Sequence, residues 1–140
     1  MSKKFLVIGN PIEHSLSPKL HNYWIKKNNL NALYDKKLLE HGKIKQLISN
    51  VREEKIHGLN VTVPFKKMVI PFLDILSDEA KNSQSVNTIY KDKGKIIGDN
   101  TDIEGFKTAL ETTNQVIKNK KALILGAGGV VPSIIVALKK

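Results

Sequence analysis

Cysteine is absent from the 140 residues. Disulfides, thiolate metal ligands and cysteine nucleophiles are therefore excluded together. Arginine is almost absent too. Arg52 stands alone among 23 Lys+Arg, which face 13 Asp+Glu for a formal net charge of +10. Specific reading of base edges leans on the rigid guanidinium fork, so a basic nucleic-acid-binding domain is disfavoured. The lysines form scattered pairs (Lys3-Lys4, Lys26-Lys27, Lys36-Lys37, Lys120-Lys121) with no interleaved aromatics. That is the pattern of a solvated surface, and its field also steers an anionic small molecule inward. No apolar run approaches the roughly 18 residues of a membrane span. Phe5–Ile8, after Lys3-Lys4, is too short for a signal-peptide core. A cytoplasmic enzyme or binding module of ordinary single-domain size is expected, with no membrane or nucleic-acid partner.

What is present alternates short apolar runs with helical patterns, which predicts an α/β fold: a mainly parallel open sheet flanked by helices. Phe5–Ile8 reads as a buried strand stopped by Gly9-Asn10-Pro11. Ser17-Pro18 reads as a helix start, Ser as N-cap and Pro at the first helical position. That helix is expected to turn Leu20, Trp24 and Ile25 inward. Ala32–Leu38 is a second strand. Ile44, Leu47, Ile48 and Val51 follow the i, i+3, i+4, i+7 spacing of an amphipathic helix. Leu59, Val61 and Val63 share one strand face, and Asn60 and Thr62 the other, before Pro64 ends the run.

Ser77-Asp78-Glu79 opens a short helix. Val86–Tyr90 and Lys95–Gly98 pair through a hairpin turn at Asp92-Lys93-Gly94. Thr101 or Asp102 is expected to cap a helix carrying Ile103, Phe106 and Leu110. Ala122–Leu125 reads as another buried strand, running through Gly126-Ala127-Gly128-Gly129 into a helix with Pro132 in its first turn.

Polar clusters fall at the ends of these strands: Asn10 with Ser15 and Ser17; Asn60, Thr62 and Lys66; Asn87-Thr88; and Asp99–Asp102. Ligands of open α/β sheets sit at the carboxyl ends of strands. Hydroxyls, amides, an ammonium and a carboxylate suit a small polyhydroxylated acid. Plainer readings remain open at each place. Ser15 and Ser17 can shape a turn and cap a helix, Asn60 and Thr62 can face solvent, Lys66 can be a surface lysine and Asp102 a cap. His14, His21, His41 and His57 lack the i, i+4 spacing of metal ligands, and no metal site is expected. The glycines at 126, 128 and 129, between strand and helix, form a candidate phosphate-binding turn.

Taken in order, the runs Gly9–Pro18 with His21-Asn22, Asn60–Lys66, Val86-Asn87-Thr88, Gly98–Asp102 and Gly126–Gly129 resemble the shikimate dehydrogenase family, over residues 3 to 140. The resemblance implies that the hydroxyls of Ser15 and Ser17 hold a substrate carboxylate. It implies that Asn60, Thr62 and Asn87 bind substrate hydroxyls, and that Lys66 and Asp102 flank the reacting carbon. It further implies NADP bound at Gly126, Ala127, Gly128, Gly129 and Val130, and reversible reduction of 3-dehydroshikimate to shikimate in aromatic amino acid biosynthesis. On this resemblance residues 1–101 are a shikimate-binding N-terminal domain. Residues 102–140 are a connecting helix and the truncated, Rossmann-type start of a dinucleotide-binding domain.

The turn departs from the family at Val130, where a small Ala is usual, and at Val131, where G-x-G-x-x-G has its third glycine. The flanking strands and the residues that select NADP over NAD lie outside this chain. Hydride transfer by these residues alone is not expected. Action on quinate as well, or a non-catalytic module for a small hydroxy acid, are the competing expectations, and a homodimer is left open.

Overall fold

The computed structural model describes residues 2–139. Its centre is β1 (Lys3–Gly9), the apolar run read as buried. Leu6 and Ile8 point into the larger hydrophobic cluster and Val7 into a smaller one on the opposite face. A strand covered on both faces has no polar side to show, which is why its sequence does not alternate. Two parallel strands flank it, β2 (Ala32–Leu38) and β3 (Gly58–Val61). Short β4 (Ile75–Leu76) follows in the chain, then β5 (Thr88–Asp92) and β6 (Lys95–Asp99). The sheet order is β2-β1-β3-β5-β6-β4, with β5 antiparallel to both of its neighbours.

The hairpin forces the reversal between β5 and β6, since a two-residue connection can join only antiparallel strands. Lys93 and Gly94 both take positive φ, 45° and 77°, the type I′ geometry whose twist matches the strands. The reversal brings the start of β5, next to Asn87, to the same sheet end as the finish of β3 and of β6.

Helix α1 (Ser17–Lys27) lies over the β1–β2 side, and α2 (Ile44–Arg52) packs on the other face. All four residues of the expected α2 stripe are buried, each stabilising by roughly 1.5–3 kcal/mol. The chain continues through α3 (Asp78–Ser83), α4 (Asp102–Glu111) and α5 (Val131–Lys139). Ser77 caps α3, accepting from the Ala80 N–H at 3.1 Å. Among the described residues no helix is long and apolar enough to cross a membrane.

Several expectations are corrected. Leu20 and Trp24 are 49% and 47% exposed. Ile25 turns inward as expected, and beside it α1 lays His21 and Asn22 on β2, because Tyr34 there offers a ring face and an open backbone pair. Asn22 donates to the Tyr34 carbonyl (2.7 Å) and accepts from its N–H (3.0 Å). Ser17 is not the N-cap: the helix already includes it, Leu16 precedes it, and no side chain caps it. Val63 is exposed rather than buried with Leu59 and Val61, since the strand ends at Val61 and a turn follows. Ala122–Leu125 form no strand, and Leu123 and Leu125 are more than four-fifths exposed. A parallel strand needs hydrogen-bonding neighbours, and no strand of residues 2–139 pairs with this segment.

The single arginine has a structural task. Arg52, ending α2, donates through both terminal nitrogens to Asp74 at 2.9 and 3.1 Å, and Asp74 also accepts from the Ile96 N–H at 2.7 Å. The guanidinium first, then the backbone N–H, hold the Asp74 carboxyl down to about 2 from its usual 3.8. A depressed carboxyl contributes stability above its unfolded value that is lost as pH falls through its folded value. Fold stability is therefore expected to drop between about pH 4 and pH 2. Urea midpoints measured across that range check it, and Asp74→Asn should flatten the acid limb relative to wild type.

Candidate active site

Three loops at one end of the sheet, together with the α3–β5 connection that bears Asn87, carry the expected polar residues. The first leaves β1 at Gly9, where an added Cβ would stand 2.6 Å from Thr62 Cγ2. Only glycine lets it pass so close. The Asn10 N–H donates to the Val63 carbonyl at 3.0 Å, tying this loop to the next. Ser15 follows, half-buried, its Oγ accepting from the Ser17 N–H at 3.4 Å.

The second loop leaves β3 at Thr62. Pro64 cannot extend a strand, and the chain turns. Fully buried Phe65 anchors the turn, so Lys66 leaves a fixed backbone. The Lys66 carbonyl accepts from the Val86 N–H at 2.8 Å, which sets the approach to Asn87.

The third loop joins β6 to α4. Neither Thr101 nor Asp102 caps that helix with its side chain. Asn100 does it, its Oδ1 accepting from the N–H groups of Asp102 (3.0 Å) and Ile103 (3.3 Å). Asp102 thereby sits in the first turn, where a carboxylate meets the positive helix end.

These loops bring one ion pair together. Lys66 Nζ donates to Asp102 Oδ2 at 2.7 Å, with the two side chains 14% and 24% exposed. Asn87 Nδ2 donates to the other oxygen, Oδ1, at 2.9 Å. Asn87 is itself held, its Oδ1 accepting from the Thr101 N–H and from Thr88 Oγ1, both at 3.0 Å. Asn60 continues the row, donating through Nδ2 to the Asn87 carbonyl and to Thr88 Oγ1, both at 3.2 Å.

Tyr34 completes the row, a residue that sequence patterning does not single out. It is buried on β2 and donates its hydroxyl to Asn60 Oδ1 at 2.6 Å. Burial pushes its phenol up to about 12, against a smaller opposing pull from the Ser17 hydroxyl. His21 stacks on the Tyr34 ring at 4.1 Å, and burial lowers the imidazole below its usual value. The row runs from Ser17 past Tyr34, Asn60 and Asn87 to Asp102 and Lys66. Thr62 lies beside it, its N–H donating to the Ile8 carbonyl and its own carbonyl accepting from Phe65, both at 2.9 Å.

The glycine-rich turn lies next to the ion pair. A cavity of about 340 Å³ is lined by Lys66, Val63, Gln84, Gly128 and Gly129 among others. Ala127 also lines it, whereas Val130 is exposed outside that lining. Among the described residues no three His, Cys, Asp or Glu are gathered as metal ligands.

The model of the shikimate dehydrogenase substrate binding domain matches residues 7–89, more than half of the chain. The chain belongs to that family. Among curated members, the shikimate dehydrogenase (NADP(+)) of Pelagibacter ubique is 76% identical over 140 residues, 100% of this chain and 53% of its own length. A solved shikimate dehydrogenase from Aquifex aeolicus superposes with a TM-score of 0.92 at 40% identity, covering 99% of this chain and 52% of that one. The shikimate 5-dehydrogenase of Thermus thermophilus, solved in complex with NADP(H) and shikimate, gives 0.89 at 34% identity, over 98% and 52%. The chain thus spans about half the length of the shikimate dehydrogenases it matches.

Proposed function

We propose that this chain is the substrate-binding half of an NADP-dependent dehydrogenase that interconverts 3-dehydroshikimate and shikimate, a step toward aromatic amino acids. The observation that carries this reading is the 2.7 Å Lys66–Asp102 pair, at the end of a row of groups suited to a polyhydroxylated acid. The names of the relatives support the substrate and the cofactor.

In this reading the hydroxyls of Ser15 and Ser17 take the carboxylate, and Asn60, Thr62 and Asn87 take the ring hydroxyls. Reduction of the ketone leaves negative charge on its oxygen. The Lys66 ammonium stabilises that charge and gives it a proton, forming the alcohol. In the reverse direction the Lys66 amine accepts the alcohol proton. Asp102, held at both oxygens, aims the Lys66 nitrogen and meets a substrate hydroxyl.

The turn residues fit a dinucleotide. No protein atom beyond chain neighbours lies within 4 Å of a Cβ position at Gly126 or Gly128. Gly126 has φ +111°, and α5 begins directly behind the turn, presenting its positive end. Gly126, Ala127, Gly128, Gly129 and Val130 would hold NADP, whose chemistry when bound is hydride exchange.

Calorimetric titration of residues 1–140 with shikimate tests the reading. One saturable site is expected, weakened about tenfold or more by Ser17→Ala or Asp102→Asn. Absence of saturable binding overturns it. Parallel titration with quinate separates a dual-substrate enzyme from one confined to shikimate. Binding without turnover in a protein carrying both halves would identify a hydroxy-acid module instead.

A further inference from the structure

Asn100 is 2% exposed and bonds at both ends of its amide. Its carbonyl oxygen caps α4 at Asp102. Its Nδ2 donates to the Ser85 carbonyl at 2.7 Å, to Ser133 Oγ at 2.8 Å and to Ser83 Oγ at 3.0 Å. Ser83 gives its own proton to the Glu79 carbonyl at 2.7 Å, so toward Asn100 it is the acceptor. Ser133 belongs to α5, is 0% exposed, and lies one turn ahead of buried Ala137. Beside this contact Ser85 Oγ reaches the Gly129 carbonyl at 3.5 Å.

We infer that Asn100 is a positioning residue carrying two loads on one side chain: it sets Asp102 at the head of α4 and registers α5, with the glycine-rich turn in front of it, against the sheet. Its meaning for catalysis rests on the reading of Lys66 and Asp102 given above. The physical basis is the planarity of the amide. An amide that swings to follow α5 withdraws its oxygen from the Asp102 N–H, so the two ends cannot move independently. Three acceptors face two amide hydrogens. Removing Ser133 Oγ alone therefore leaves Asn100 in place, capping α4.

Amide hydrogen exchange by NMR on residues 1–140, with shikimate affinity measured alongside, tests the inference in Ser133→Ala, Asn100→Ala and the double variant. Ser133→Ala is expected to speed exchange at Ile134–Leu138 by about five- to tenfold, the loss of one buried hydrogen bond. Leu47 and Ile48 of α2, and shikimate affinity, should stay unchanged. Asn100→Ala should speed the same α5 amides and also weaken shikimate by about tenfold. The double variant should match Asn100→Ala in α5, because both remove one bond.

Three outcomes overturn the inference: α5 exchange within about twofold of wild type in Ser133→Ala, additive effects in the double variant, or equal acceleration of α2 and α5. Should Asn100→Ala fail to fold, the Ser133→Ala exchange decides alone. Should wild type bind no shikimate, the reading of the site fails while the exchange measurement still decides the role of Asn100.

Discussion

Lys66→Ala, in a protein carrying both halves, is expected to lower kcat for shikimate oxidation by about 10²- to 10⁴-fold. Shikimate affinity should change by less than about tenfold, since the carboxylate and most ring hydroxyls keep their partners. The split follows from the geometry. The Lys66 nitrogen is fixed at 2.7 Å from Asp102, and in the proposed reading it holds and moves a proton at the oxygen of the reacting carbon. Lys66→Arg supplies the positive charge but a group that does not release its proton. It should bind shikimate and still fail to turn over. Initial rates and titrations on the same preparations check both variants, and near-normal kcat in Lys66→Ala would falsify the assignment.

Phe65→Ala is expected to cost about 3–5 kcal/mol of folding stability. Phe65 is wholly buried, belongs to the main cluster, and meets the His41 ring at 5.2 Å. Deleting its ring removes transfer energy and leaves a cavity under the turn that carries Lys66. Urea unfolding should show a lower midpoint with little change in slope. A loss under about 1 kcal/mol would mean that the surroundings collapse around the gap and that Phe65 does not anchor this turn. Phe65→Leu should fall between the two, because it refills part of the space.

The sequence reading and the structure agree where local pattern decides. The apolar run of β1, the stripe of α2 and the two-residue hairpin are written in spacing and turn chemistry, and each formed as expected. Disagreement begins where a distant partner decides. Leu20 and Trp24 look like an inward stripe, yet the face of α1 is chosen by what Tyr34 offers to His21 and Asn22. The apolar residues Ala122–Leu125 make a strand only in the company of neighbours.

Within the candidate site, the clusters at strand ends come to one end of the sheet, and Lys66 meets Asp102. Tyr34 gives no signal of its own because its significance is not local. It lies on β2, two strands away from the Asn60 it bonds, and β1 runs between them. Asn100 reads as one member of a polar run, and nothing in that run reveals that Ser133 waits 33 residues onward.

The unbroken row from Tyr34 to Lys66 has a consequence for affinity. Asn60 and Asn87 have donors and acceptors engaged at both amide ends, and Asp102 at both oxygens. A polyol that reaches Asn60 or Asn87 must therefore exchange bonds, whereas the Asp102 oxygens keep lone pairs and Lys66 keeps two N–H donors for new ones. Exchange of that kind yields little net attraction but penalises every hydroxyl in the wrong place. In the proposed reading, such a row earns its selectivity by telling one stereoisomer of a polyol from another.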